Sequence, residues 1–544
     1  MMGNWKDYGN RESGIVLACL GSILLLTLLL RLYGIGWGLP TSLHPYYSYH
    51  PDEVPLLMWS QWLSQGQLVA KQFIYGGTFY FLILRACIYF GDMLGGFIGG
   101  FNALANAILV ARYLQVSLAL LTVLLVYECG RLLYDRKTGL VAALVLALAP
   151  AHIVATQTVR PDAISAFLVV LIVFLAAKLL RSEPSGRTKL LMYSGIAIGA
   201  VSAFRLPLIG FGLLPVAAYV VSRQRGTGNS LWRLLFDWNA LWLVVAVGLT
   251  YVVLSPHTLM YPEAFIMGMK VTASYETVVF PDAVDRGPIF FQYAWRLLHQ
   301  ALGYPGYFLA LGGVVYALVR RSVEDKIVLA GIGLYFIMLA SVSLTFVRYT
   351  LPILPLLAVM SGVAVVRITE HVHHSHTHRI VYIVAGVILA WTLASDIALL
   401  HVTASKNSRI QASEWITRNI PKGESTLLVK QYDGDDFFNP IMSSRHNNMA
   451  VLLTEGSNSR KLFTEMKFDN VILHELFYSD MERLGNRHPR KEVRLFNEGM
   501  ANTGLKLVKE IKVPVKFLGM DFSSSFEAID FSVINPGIRI YQSP

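Results

Sequence analysis

Residues 14–34 read GIVLACLGSILLLTLLLRLYG, and residues 50–53 beyond them read HPDE. The first stretch is apolar and long enough to cross a bilayer as one helix. No small-residue cleavage site follows it, which predicts a retained membrane helix rather than a signal peptide. The second stretch places two carboxylates, Asp52 and Glu53, just beyond that helix. Charge so close to a bilayer needs a partner, water or a catalytic task.

The composition indicates a polytopic membrane protein. Of 544 residues, 54% are hydrophobic and 15% charged, with a mean hydropathy of +0.50. The net charge of +11 is no nucleic-acid signal, because residues 401–544 hold 19 basic and 17 acidic residues, leaving 27 and 18 for residues 1–400. This surplus in the membrane part is expected to set topology and attract anionic lipid. The three cysteines stand in or beside apolar segments and predict no disulfide framework.

Apolar runs predict about eleven membrane spans. They centre on 14–34, 108–127, 139–156, 163–180, 189–204, 206–222, 237–254, 304–320, 326–344, 349–366 and 380–400. Basic residues fall in alternate connections: Arg131, Arg136 and Lys137; Lys178 to Lys189; Arg223, Arg225 and Arg233; Arg320 and Arg321; Arg367 and Arg379. This pattern places those connections in the cytoplasm.

A further apolar segment, Thr78 to Ile98, is interrupted by Arg85 and Asp92. If it crossed the membrane, every later basic loop would be inverted, so we expect a juxtamembrane or re-entrant helix. Asp52 then lies outside, in a first extracytoplasmic loop of residues 35–107.

The domain organisation follows from the change in composition near residue 400. Residues 1–400 form the membrane domain, and residues 401–544 form a small extracytoplasmic α/β domain. Its pattern predicts a helix over 411–420 and strands at 426–430, 468–473, 505–515 and 537–541.

Counting loops brings charged residues that are distant in sequence to one outer face. Asp162, in Val159-Arg160-Pro161-Asp162, is one of them. Arg205, Lys270, Arg348 and Tyr349 fall on the same face.

Such a set suits sugar transfer from a polyprenyl phosphate. Asp52 would take the proton of the acceptor hydroxyl. Glu53 or Asp162 would stabilise the oxocarbenium-like centre or orient the acceptor. Arg205, Lys270, Arg348 and Tyr349 would bind the departing phosphate, and His50 is a further candidate for contacting substrate.

Four local patterns resemble one known family. These are the acidic pair after the first helix, the Arg-Pro-Asp before the fourth, Ala203-Phe204-Arg205, and Arg348-Tyr349-Thr350-Leu351-Pro352 with Pro355. Together they resemble glycosyltransferase family 39 of the GT-C superfamily. That group contains protein O-mannosyltransferases and is related to the lipid A aminoarabinose transferases. The resemblance covers most of residues 10–400.

The resemblance implies an integral membrane enzyme that inverts the transferred sugar, with no nucleotide sugar and no metal cofactor. The compact loops and the domain order predict a prokaryotic cytoplasmic membrane. The partners of the enzyme would be a polyprenyl-phosphate-linked sugar, membrane lipid, and a protein or glycolipid acceptor. Asp52 would be the general base and Asp162 the second acid, and Tyr349 would help to hold the carrier phosphate. Lys270 would lie near a loop arginine of the relatives.

Two positions differ from the relatives' pattern. Arg205 stands where they have a lysine. Their basic residue before a proline in the first loop is replaced by Tyr75-Gly76-Gly77, with Lys71 slightly earlier. Lys71 and Tyr75 are therefore the candidates for phosphate binding in that loop.

Several structural alternatives apply to the same residues. Asp52, Glu53 and Asp162 could cap helices, and Arg205 and Arg348 could snorkel or set topology. His50 could bind a metal with Asp52 and Glu53, although no further ligands are evident. The histidines at 371, 373, 374, 376 and 378 predict a solvated, weakly metal-binding cytoplasmic loop. Asp433, Asp435 and Asp436 suit a surface turn better than a calcium site.

The alternative function is a transporter or lipid flippase. Such proteins place functional charges inside their spans and often show repeated halves. Neither feature is evident in this sequence.

Overall fold

The computed structural model describes residues 4–67, 77–98, 103–227, 238–277, 284, 286–371, 375–430, 435–440, 447–452 and 468–543. Its membrane-domain helices are α1 Asn4–Leu32, α2 Glu53–Ser64, α3 Gly77–Ile98, α4 Ala103–Leu133, α5 Arg136–Ala147, α6 Pro150–Thr156, α7 Asp162–Leu180, α8 Arg187–Phe204, α9 Leu213–Thr227, α10 Trp238–Leu254, α11 His257–Met260, α12 Pro262–Thr277, α13 Ile289–Phe291, α14 Leu298–Arg320, α15 Val323–Ala340, α16 Leu354–His371 and α17 Ser375–Ala404. A π-helical turn, Gln292–Leu297, joins α13 to α14, and 3-10 turns Leu206–Gly212 and Val347–Ile353 precede α9 and α16.

Each of the eleven predicted spans coincides with a helix. The span expected at 139–156 is a bent pair, α5 and α6, which meet at 60°. In the part of the chain that is described, eight helices are long and apolar enough to cross a membrane, or nine if that pair is one span. The predicted polytopic helical fold is therefore confirmed.

The basic connections gather at one end of the bundle. Tyr134, between α4 and α5, donates to Asp325 at the start of α15 over 3.0 Å, and Asp325 also accepts from Arg320. Arg367, near the end of α16, reaches Asp135 over 3.3 Å. Asp52, Asp162, Arg205 and Arg348 occupy the other end, which we call the site face. The two predicted groups of loops thus lie at opposite ends of the bundle.

Helix α3 passes the length and apolarity test for a span, yet both of its ends lie at the site face. Its first residue, Gly77, lies against the carbonyl of Ala203, where α8 ends at that face. Near its other end, Gly91 and Gly95 contact Asn106 and Ala107 in the first turn of α4. This geometry supports the predicted juxtamembrane helix.

The C-terminal domain is a small α/β unit at the site face. Its elements are α18 Ser408–Asn419, β1 Ser425–Lys430, β2 Asn447–Leu452, β3 Asn470–His474, α19 Glu475–Leu484, α20 Lys491–Ala501, β4 Lys506–Ile511, β5 Lys516–Phe517, β6 Met520–Asp521, α21 Ile529–Ser532 and β7 Ile538–Gln542. The main sheet has the order β2-β1-β3-β7-β4, with β1 parallel to both neighbours and β7 antiparallel to both of its own. The predicted helix and four strands are present, and the additional elements are β2, β5, β6, α19, α20 and α21.

Close packing of α14 against α16 depends on a glycine. A Cβ at Gly313 would overlap the carbonyl oxygen of Met360, whereas one at the adjacent Gly312 would meet only Ala364, at 3.7 Å. We expect Gly313→Ala to destabilise the protein by about 1–3 kcal/mol, because backbone must move. Gly312→Ala is the matched control and should unfold at the wild-type temperature. Equal midpoints for the two variants in detergent would show that this helix contact is less tight than described.

Candidate active site

The carboxylate of Asp52 lies at the centre of a network of acids and arginines. Asp52 precedes α2, and its Oδ2 pairs with the guanidinium of Arg160 in the turn before α7. Its side chain is 24% exposed, so substrate can reach it, while that of Arg160 is 6% exposed. Gln115 of α4 fixes the turn by donating to the Arg160 carbonyl over 2.6 Å.

Asp162 joins two arginines across the site. Its Oδ2 accepts from Nε of Arg160 at 2.8 Å, and its Oδ1 accepts from Nη2 of Arg205 at 2.5 Å. Arg205 follows directly after α8, where the chain turns towards α9. The predicted convergence of Asp52, Asp162 and Arg205 is therefore present in the structure.

Neither aspartate caps a helix. Asp52 and Pro161 immediately precede the first residues of α2 and α7, and no side-chain capping bond forms at either position. The carboxylates of Asp52 and Asp162 are directed to arginines instead. The capping alternative is wrong for these two residues.

Arg348 brings the C-terminal domain into the site. Its Nη1 donates to Oδ1 of Asp530 in α21 at 2.8 Å, and the backbone N–H of Val347 donates to Oδ2 at 2.7 Å. Tyr349 lies between two arginines, with the Arg205 and Arg348 guanidinium carbons 5.6 Å and 5.5 Å from its ring centroid. These cation–π contacts hold both guanidinium groups beside the Tyr349 ring.

Glu53 is fully buried and belongs to a separate pair. Arg112 of α4 donates to both of its oxygens, at 3.0 Å and 2.8 Å, and neither side chain has exposed surface. Glu53 also accepts from the Val159 N–H at 2.9 Å. Arg112 reaches back to the Ile35 and Trp37 carbonyls at 2.6 Å and 2.8 Å. This pair ties the first loop to the turn that carries Arg160.

Charges determine the protonation state of the HPDE stretch. Burial alone would raise the pKa of Asp52, but Arg160, His50 and Arg348 outweigh it and hold that pKa below the ordinary value. Burial lowers the pKa of His50 to about 4, against the attraction of Asp52. Near neutral pH, Asp52 is an ionised carboxylate and His50 a neutral imidazole whose Nδ1 accepts from the Asp52 N–H at 3.2 Å.

A cavity adjoins this network. The charged and polar residues on its wall are His50, Thr158, Arg160, Asp162, Arg348 and Asp530. Trp37, Ala151, Val154 and Val347 of the membrane domain and Phe531, Val533 and Ile534 of the C-terminal domain supply apolar surface. Both domains therefore build one chamber.

The remaining predicted site residues are placed differently. Lys270 is exposed on α12 and is not among the residues that line this chamber. Lys71 and Tyr75 lie outside the described residues, so their predicted phosphate contact stays a prediction.

Two predictions concern possible metal sites away from this chamber. The expected histidine loop is shorter than predicted, because α16 ends at His371 and α17 already begins at Ser375, which puts His376 and His378 in a helix. Asp433 lies outside the described residues, whereas Asp435 and Asp436 begin a 3-10 turn. Across the described ranges, no three His, Cys, Asp or Glu residues group as a metal site would require.

Sequence reasoning missed Arg112, Arg160 and Asp530 as site residues. Arg112 carried a usable signal, because an arginine inside a predicted span is rare and usually paired. Asp530 carried none, since it contacts a residue 182 positions away.

Comparisons with known proteins agree with this architecture. Residues 93–265 match the sequence model of a family described as dolichyl-phosphate-mannose-protein mannosyltransferase. No curated protein matches the chain by sequence. The archaeal oligosaccharyltransferase AglB from Archaeoglobus fulgidus, in complex with an inhibitory peptide and a dolichol-phosphate, is 11% identical with a TM-score of 0.50, and the match covers 96% of this chain and 78% of that one.

ArnT from Cupriavidus metallidurans bound to undecaprenyl phosphate is 12% identical, with a TM-score of 0.47 and coverage of 97% of this chain and 98% of that one. Residues 93–265 thus carry the sequence pattern of the protein mannosyltransferase family, in agreement with the resemblance found in the sequence, and the chain shares the fold of the archaeal oligosaccharyltransferase AglB.

Proposed function

We propose that this protein is an integral membrane glycosyltransferase that moves a sugar from a polyprenyl-phosphate carrier to an acceptor hydroxyl. The observation that carries the proposal is the convergence, at one end of the bundle, of an accessible ionised carboxylate, Asp52, with the cations Arg160, Arg205 and Arg348. Sugar transfer from a lipid phosphate needs both a base and positive charge at the leaving group.

Asp52 acts as the general base. An acceptor hydroxyl is a poor nucleophile near pH 7 until its proton is removed, and the 24% exposed carboxylate is the most accessible acid in the network. The hydroxyl oxygen forms the new bond to the anomeric carbon as the carbon–phosphate-oxygen bond breaks on the opposite face. The configuration therefore inverts, and the proton passes to Asp52.

Arg205 and Arg348 bind the carrier phosphate, with Tyr349 between them. Negative charge grows on the phosphate as the bond breaks, and guanidinium groups stabilise it most at that moment. Asp162 orients Arg160 and Arg205, and the neutral His50 positions Asp52 through its backbone N–H. Glu53 acts indirectly, because Arg112 engages both of its oxygens.

Localisation, cofactor use and substrate class complete the proposal. The basic loops opposite the site favour an orientation with the site and the C-terminal domain outside. The compact loops and the domain order favour a prokaryotic cytoplasmic membrane. The sugar is a hexose or a pentose, the acceptor is a protein or a glycolipid, and the arginines take the place of a metal ion at the phosphate. The site charges stand at helix ends, which favours an enzyme over a transporter.

Transfer of radiolabelled sugar tests this function. Purified protein is incubated with defined polyprenyl-phosphate hexoses and pentoses and with membrane extract, and labelled acceptors are separated into protein and glycolipid fractions. Labelling that requires both the enzyme and one of these donors is expected. Labelled donor crossing a vesicle membrane without transfer would instead support a flippase.

Arg205→Gln should lower kcat/KM for the donor by about 10²-fold, because one cation facing the leaving phosphate is lost. Arg205→Lys is the conservative comparison and should retain most activity, since the resembling relatives have a lysine there. Initial rates over a donor titration give kcat and KM for each variant. Equal losses in the two variants would mean that Arg205 serves only to hold Asp162.

A further inference from the structure

The C-terminal domain places a carboxylate on a cation of the active site. Asp530 belongs to α21, a single turn of four residues, and receives one bond from Arg348 Nη1 and one from the Val347 N–H. Its side chain is 12% exposed and that of Arg348 19%. Two converging donors of this kind form an anion site. The anion that occupies it here is the Asp530 carboxylate.

The charges of the site balance without substrate. The network contains the carboxylates of Glu53, Asp52, Asp162 and Asp530. It contains the guanidinium groups of Arg112, Arg160, Arg205 and Arg348. A sugar-phosphate-lipid donor is a phosphodiester with one negative charge. Its entry would add an uncompensated anion to a largely buried site, which is costly unless another anion leaves.

Apart from Asp52, which the proposed function keeps in place as the base, Asp530 is the acid that can leave at the lowest cost. Glu53 is fully buried, and Asp162, which is 3% exposed, bridges two arginines. Within the described ranges, Asp530 pairs with one cation, and it lies on a short turn. A phosphodiester offers two free oxygens and a single charge, as a carboxylate does, so the same two donors can bind it.

We infer that Asp530 and the phosphate of the lipid-linked donor are alternative occupants of the anion site formed by Arg348 and the Val347 N–H. This inference rests on the proposed function. Donor binding displaces Asp530 from Arg348. After transfer the carrier is left with a phosphate monoester, and the returning Asp530 carboxylate helps to expel it.

The surrounding contacts allow a local movement. On one side of α21, the Ala528 N–H donates to Gln300 Oε1 at 2.8 Å. On the other side, Asn407 donates to the Ile534 carbonyl at 3.0 Å and Ser408 to the Pro536 carbonyl at 2.6 Å. The residues on both sides of the turn are thus anchored while the turn between them shifts.

Binding of undecaprenyl phosphate to the full-length protein in nanodiscs tests the exchange. Asp530→Asn should bind undecaprenyl phosphate about tenfold more tightly than wild type, because the competing charge is gone. Asp530→Ala should show the same tightening, and it covers the case in which the asparagine side chain itself bonds to Arg348. Glu414→Gln is the control, since this acid of the same domain pairs with Lys406 in solvent. In an Arg348→Gln background, the Asp530→Asn change should have no effect.

The outcomes separate the inference from the proposed function. If wild type binds undecaprenyl phosphate and both Asp530 variants bind equally or more weakly, the exchange is wrong and the proposed function stands. If neither wild type nor any variant binds it, and no polyprenyl-phosphate donor supports transfer, both are wrong. A tightening that persists without Arg348 would also overturn the exchange.

Discussion

Asp52→Asn should reduce sugar transfer by about 10² to 10⁴-fold, the usual contribution of a general base. Asparagine has the same size but cannot take the acceptor proton. The effect should fall on kcat, while donor binding stays within a few-fold of wild type, because the proposed phosphate contacts come from Arg205 and Arg348. Transfer rates and binding of undecaprenyl phosphate, measured on the same preparation, separate the two parameters.

The control for this variant is Asp92→Asn, which removes an exposed aspartate of α3 at the same face. It should transfer sugar at the wild-type rate. Asp52→Asn also frees one bond of Arg160, so its thermal midpoint must be measured. If the Asp52→Asn protein is stable and turns over normally, Asp52 is not the general base, and the network contains no other acid as accessible to substrate.

Topology was predictable because it depends on patterns that are local in sequence. Apolar length and alternating basic loops are sufficient to place all eleven helices and to separate the two faces of the bundle. The juxtamembrane position of α3, inferred from Arg85, Asp92 and the order of the later loops, stays a prediction. Loop counting then brought Asp52, Asp162, Arg205 and Arg348 to one face.

Pairing between those residues was not predictable from the sequence. The pattern cannot tell which arginine binds which carboxylate, because that depends on how helices far apart in the chain approach each other. Glu53 is an example. It is adjacent to Asp52 in the sequence and looks equivalent to it, yet its side chain is buried inside the bundle, where it pairs with Arg112. Asp530 required the docking of a second domain, which no local pattern encodes.

Glu53→Gln should destabilise the protein strongly, by about 3–5 kcal/mol, because it breaks a buried ion pair from one side. Arg112 is fully buried and Glu53 is its only carboxylate partner in the described part of the chain. Removing that carboxylate leaves a buried charge uncompensated, and this costs more than an intact pair contributes. The thermal midpoint in detergent should fall strongly, and transfer should fall with it because Val159, beside Arg160, loses a charged acceptor.

The exposed pair of Glu128 and Arg131 provides the matched control, because the chemistry is the same but the side chains are 27% and 39% exposed. Glu128→Gln should change stability by no more than about 1 kcal/mol. The double variant Glu53→Gln/Arg112→Met should recover much of the lost stability, since the buried charge is removed as well. If the double variant is instead the least stable of the three, then Arg112 stabilises the fold mainly through the Ile35 and Trp37 carbonyls, which tie the end of α1 to α4, and its bond to Glu53 is secondary.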